Sequence, residues 1–127
     1  MKSGLMLLAG IVFLVSCSKN EVPTEKKLIL ENISSEKFQT IKINSNDTLR
    51  LSLGFFGDEE GARIFKAPAY AAYDSLYRAL DFASIYYEYL PLTGFFGQDT
   101  VGLILNRGSD GASPGVSDST WICIVTN

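Results

Sequence analysis

The sequence predicts an all-β domain, a small antiparallel β-sandwich of about seven strands, placed after a helical signal peptide and a short tether. Three observations carry that expectation. Short apolar or alternating runs recur from Lys27 onward, mostly separated by Gly, Pro, Asn or Asp clusters. Apolar residues make up 46% of the 127 positions, but eleven of them fall in the first sixteen. The rest of the chain drops to about 43%, ordinary for a globular domain. Helical periodicity is confined to one segment.

Residues 1–16 read as a signal peptide. Lys2 supplies a positive start, and Leu5–Val15 is an apolar stretch too short to span a bilayer, which takes roughly 20 residues. Leu14-Val15-Ser16-Cys17 follows, and it resembles the bacterial lipobox. That resemblance implies cleavage before Cys17, whose thiol would carry a diacylglycerol, so lipidation is assigned to Cys17. Ser18 in the next position implies, by analogy with lipoprotein sorting in diderm bacteria, an outer-membrane lipoprotein in the cell envelope. Periplasmic and surface-facing orientations both stay open. Residues 17–26 are the lipidated cysteine and a polar tether with Pro23 and no periodicity, and residues 27–127 are the folded domain.

The strands follow in order. Lys27–Glu31 and Phe38–Ile43 are short apolar-rich runs. Asn44-Ser45-Asn46-Asp47 is turn chemistry, and Thr48–Leu53 then alternates, with Leu49, Leu51 and Leu53 on one face. Ala62–Lys66 is closed by Pro68. Ser84–Tyr89 sets Ile85, Tyr87 and Tyr89 against Tyr86 and Glu88. Thr100–Leu105 and Thr120–Thr126 complete the seven, with Arg107–Ser119 as the loop between them. Ala69–Leu80 sustains two readings: Tyr70, Tyr73, Tyr77 and Leu80 recur at helical spacing, yet a strand near Ser75–Arg78 would pair with Ser84–Tyr89.

The segment from Tyr89 to Asp99, YLPLTGFFGQD, resembles the Y-x-P-x-x-G-F-x-G-x-D signature of bacterial cadherin-like and Ig-like repeats. The resemblance implies an Ig-like sandwich and a hairpin across Ala67–Tyr89, which favours the strand there. The corner also has a local logic. Pro91 removes a ladder donor, Gly94 and Gly97 permit positive φ, and Asp99 can accept from backbone N–H groups. Phe95 or Phe96 is expected to plug the open end of the sandwich.

Chemistry is mostly excluded. With no histidine, imidazole-based catalysis and His-ligated zinc are impossible. Two cysteines make no multi-disulfide scaffold, and an acidic chain without a Lys/Arg cluster is a poor nucleic-acid binder. Ser and Thr are abundant, but no motif sets a base beside one. Asp58, Glu59 and Glu60 are weak candidates for a metal, because their spacing is not that of an EF-hand loop; a solvated turn is the plainer reading. No cofactor is expected. Tyr86, opposite in facing to Tyr87, is the candidate ligand contact, and exposed tyrosines on one face would favour glycan recognition. Cys123 shares a strand face with Trp121 and Val125 and is expected as a buried, unreactive thiol. The chain therefore reads as a lipid-anchored, non-enzymatic binding or structural module of the envelope. The alternative is a glycan-recognising accessory lipoprotein. Partners are the membrane and an envelope protein or glycan, not nucleic acid.

Overall fold

A computed structural model describes residues 26–108 and 115–127. Eight strands among these residues form two four-stranded sheets. The first is ordered β1 (Lys27–Asn32), β3 (Asp47–Phe55), β6 (Ser84–Pro91), β5 (Ala71–Arg78). The second is ordered β2 (Phe38–Ile43), β8 (Val116–Thr126), β7 (Gly97–Arg107), β4 (Gly61–Lys66). The expected signal peptide, Cys17 and most of the expected tether lie outside the described residues.

Period-two alternation builds the core. Leu49, Leu51 and Leu53 point inward with Ile85, Tyr87 and Tyr89 from the paired strand, while Thr48, Arg50 and Ser52 face out. The second sheet answers with Ile41, Ile43, Val101, Leu103, Ile122 and Ile124. Each such side chain contributes about 1.5–3 kcal/mol on burial, which makes this shared layer the main source of stability.

Three expectations are corrected. The sheets are mixed, not antiparallel throughout: β1 runs parallel to β3, and β2 parallel to β8. The chain crosses from the first sheet to the second after β1 and returns after β2, so β3 enters from the same end as β1. Alternation reports which face a residue occupies, not strand direction. Second, β8 begins at Val116, so residues 116–119 are ladder rather than loop; Asp118 sits opposite Leu105. The backbone pairing of the long β7–β8 hairpin carries this stretch, whose side chains are exposed. Third, the strands number eight rather than about seven. The favoured strand near Ser75–Arg78 forms, as Ala71–Arg78, and pairs with Ser84–Pro91, with Asp74 opposite Tyr89 and Tyr77 opposite Tyr86. Tyr73 and Tyr77, four apart, share one face in a helix and also in a strand, which is why their spacing misleads.

The topology gives the sandwich two distinct ends. At one end, called near, lie the entry at Lys27 and the connections 44–46, 67–70 and 92–96. At the far end lie 33–37, 56–60 and 79–83, with the edge of the β7–β8 hairpin. The eleven residues of β7 place these ends roughly 35 Å apart.

Candidate functional site

The near-end corner is architectural. Asp99 is buried, and its carboxylate accepts the backbone N–H groups of Ala69 and Tyr70, both at 2.8 Å, and of Thr100 at 3.0 Å. It also accepts the Tyr89 hydroxyl at 2.9 Å. Gly94 and Gly97 both take positive φ, 82° and 133°. Phe95 stacks on Tyr70, with centroids 4.4 Å apart, whereas Phe96 stands in solvent. The expected aromatic plug is thus a surface stack, because Tyr89 and its partners already close the core at this end.

The acidic turn is a tie between loops. Glu60 accepts the Gly57 N–H at 2.6 Å and the Gly108 N–H, and these two backbone donors hold its carboxyl below the usual range. Arg78 donates to the carbonyls of Phe56, Gly57, Glu60 and Phe82. Arg107 donates to Leu53 and Phe55, and its guanidinium lies 3.9 Å from the Phe56 ring centre. Asp58 and Glu59 remain exposed, and only Glu60 turns into the loop. The three carboxylates are not brought together, and no three metal-ligating side chains converge among the described residues.

Beside this turn stands a feature the sequence reading passed over. The β5–β6 connection presents Leu80, 93% exposed, and Phe82, 74% exposed. Phe82 has φ 60°, a left-handed conformation unusual for a bulky residue. The turn is nevertheless held firmly. Asp81 accepts the Ser84 N–H at 2.8 Å, the Ser84 hydroxyl at 2.7 Å and the Ala83 N–H at 2.9 Å, and in that order these donors lower its pKa. Phe55, 72% exposed, lies opposite Ser84 and extends the patch. A sequence signal existed: Ala79–Ala83 puts Leu and Phe where a tight turn ordinarily carries Gly or Asn.

From this tip a groove of about 580 Å³ runs onto the outer face of the first sheet, lined by Arg50, Tyr77, Arg78, Leu80 and Tyr86 among others. A second hollow of about 370 Å³, lined by Leu30, Asn32, Ser52 and others, lies on the other side of Arg50 and Tyr86. Tyr86 is half-buried, stacked on Tyr77 with ring centres 5.7 Å apart. Between strands, the Arg50 Nε donates to Glu88 at 2.6 Å and the Tyr77 hydroxyl to the same oxygen at 2.9 Å. The Glu88 bond raises the Arg50 pKa; burial, then Glu88, raises that of Tyr77. Of the outward tyrosines on this face, Tyr73 is exposed while Tyr77 and Tyr86 are half-buried. The arrangement offers stacked rings beside a fixed ion pair, a combination that suits a polar ligand with an apolar face.

Cys123 is also corrected. Its strand face is the outer one, because Ile122 and Ile124 take the core, so the thiol is half-buried rather than interior. It neighbours the row formed by Phe38, Trp121 and Phe65, where Phe65 lies across Gly102 and meets Trp121 edge-on at 5.0 Å.

No family model matches the chain, and no curated protein matches it. Among solved structures, it is similar to a cysteine protease inhibitor from Entamoeba histolytica, with a TM-score of 0.52 and 19% identity over 80% of this chain and 97% of that one. Amebosin also aligns, at a TM-score of 0.46 and 10% identity, over 76% and 97% of the two chains. At such identity the first likeness is one of fold alone.

Proposed function

We propose that this chain is a lipid-anchored binding module of the cell envelope, without catalytic activity, an Ig-like sandwich held to the outer membrane through Cys17. The observation that carries the binding part is the far-end turn. Two large apolar side chains are displayed on a rigid turn, one of them in a strained backbone conformation. The left-handed conformation at Phe82 is used by the turn itself, in which the Phe82 N–H donates to Ala79 and the Phe82 carbonyl accepts from Arg78. The exposure of Leu80 and Phe82 has no such use within the isolated domain, so a partner for the tip is the natural beneficiary. Lys27 lies at the opposite end, so a tether joining it to Cys17 would leave the tip turned away from the anchor. The lipobox resemblance supports the anchor, and the fold shared with a protease inhibitor supports a non-enzymatic role.

A second reading is glycan recognition through the outer face of the first sheet, favoured by the Tyr77–Tyr86 stack beside Arg50 and Glu88. Two double variants separate them: Leu80→Ser with Phe82→Ser, and Tyr77→Ala with Tyr86→Ala. Each is screened against purified envelope proteins and against surface and cell-wall glycans. A protein interaction lost only in the tip variant supports the first reading, and glycan binding lost only in the tyrosine variant supports the second. Wild-type protein that binds neither set overturns both.

A further inference from the structure

We infer that the near end of the sandwich is a docking surface for an anionic bilayer, so that the domain stands on the membrane rather than drifting on its tether. The inference rests in part on the anchored reading above. Its own support is the composition of the near end. Phe96 is 64% exposed, and Leu92 and Tyr70 are exposed beside it. The three belong to one ordered unit: the Leu92 N–H donates to the Tyr70 carbonyl, the Phe95 N–H to the Leu92 carbonyl, and Phe95 stacks on Tyr70. Leu92 and Tyr70 are thereby held together, and Phe96 follows directly on Phe95 in the same connection.

Charge separates the two ends. Lys26, Lys27, Lys42 and Lys66 are exposed on or toward the near end, Lys42 being one register step from the last pair of β2 with β8. The acidic side chains there are fewer than the lysines. Asp47 and Asp99 are buried on backbone donors, and Asp74, a little further in, accepts the Tyr87 hydroxyl. The far end also exposes apolar residues, but there Glu36, Asp58, Glu59, Glu60, Asp81 and Asp118 outnumber Lys37, Arg78 and Arg107. An anionic surface attracts the first end and repels the second. Apolar side chains amid lysines are the pattern of a surface that sits at the headgroup boundary.

Chain length fits the same geometry. Eight residues, nine Cα–Cα steps, separate Cys17 from Lys26, at most about 30 Å fully extended, and Lys27 stands at the near end. The anchor thus holds Phe96 within reach of the lipid, while the far-end turn remains turned outward.

The experiment uses the full-length chain, purified after processing and reconstituted in vesicles. In a Cys123→Ser background, an environment-sensitive fluorophore is placed at Phe96→Cys or, as a control, at Leu80→Cys. With about 30% phosphatidylglycerol, the label at 96 should move to an apolar environment, with an intensity gain of at least about twofold, while the label at 80 stays in water. Lys42→Glu with Lys66→Glu, or about 0.5 M salt, should cut that response by half or more. Protein that sediments with the vesicles but reports position 96 as wet as position 80 overturns the docking surface. Failure to sediment with zwitterionic vesicles strikes at the anchor alone. In that case burial of label 96 on anionic vesicles still supports docking, and a wet label overturns it.

Discussion

The Tyr89 hydroxyl donates to Asp99 across 2.9 Å and so ties the end of β6 in one sheet to the start of β7 in the other. Asp99 simultaneously fixes the 67–70 connection through the Ala69 and Tyr70 N–H groups. One buried carboxylate thereby joins three segments at the near end. Asp99→Ala removes the acceptor for several donors and should destabilise the domain by roughly 3 kcal/mol or more, whereas Tyr89→Phe should cost about 1–2 kcal/mol. Denaturant melts of the two variants measure both; equal, small losses would contradict the hub.

Gly97 should be the less replaceable glycine of the corner. Its φ of 133° lies where L-residues are rarely found, and an added Cβ would also touch the Phe95 ring at 3.6 Å. Gly97→Ala should cost about 1–3 kcal/mol and Gly94→Ala, with open space around it, about 1 kcal/mol. Thermal melts rank them, and wild-type stability in both would contradict the positive φ values.

Acid should loosen the far end. Glu60 and Asp81 have pKa values below their ordinary 4.5 and 3.8, because backbone N–H groups stabilise their charged forms. The unfolded chain then binds more protons than the folded one around pH 4, so the stability these groups supply is present above that range. It is lost as pH falls through the folded values. Glu60→Gln should flatten the fall in melting temperature between about pH 5 and 3. An unchanged slope would show that the loop tie contributes nothing.

Base should act through the core. Burial first, then Asp74 for Tyr87 and Asp99 for Tyr89, pushes both phenols well above the ordinary value of 10.0. Folded protein keeps these protons while unfolded chain releases them, so stability declines as pH rises beyond about 10. Near-ultraviolet absorbance should show Tyr87 and Tyr89 ionising only as the domain unfolds. Smooth ionisation of every tyrosine in folded protein would contradict their burial.

Legibility differed by the kind of information. Alternation in Thr48–Leu53 and Ser84–Tyr89 identified which side chains enter the core, because a period of two has one physical meaning on a half-buried strand. Strand direction was not legible, since crossing between sheets leaves no periodic trace; hence the parallel pairs of β1 and β2. Tyr73 and Tyr77 suited two periods at once and needed a partner strand to decide. For Cys123, adjacency to Trp121 suggested burial, yet the face was decided by the isoleucines on either side. The near-end role of Asp99 was readable from turn chemistry, while the roles of Arg78 and Arg107 were not. Their bonds go to loop carbonyls fixed only by the tertiary fold.

The proposed anchor on Cys17 is tested most directly by the intact mass of the full-length gene product expressed in a diderm bacterium and extracted from its membranes. The expected species begins at Cys17, carries a diacylglycerol thioether there, and is absent from a Cys17→Ser variant, while Cys123→Ser leaves it unchanged. A soluble product with an unmodified Cys17 thiol, or one joined to Cys123 by a disulfide, would contradict the lipid-anchored module and the orientation built on it.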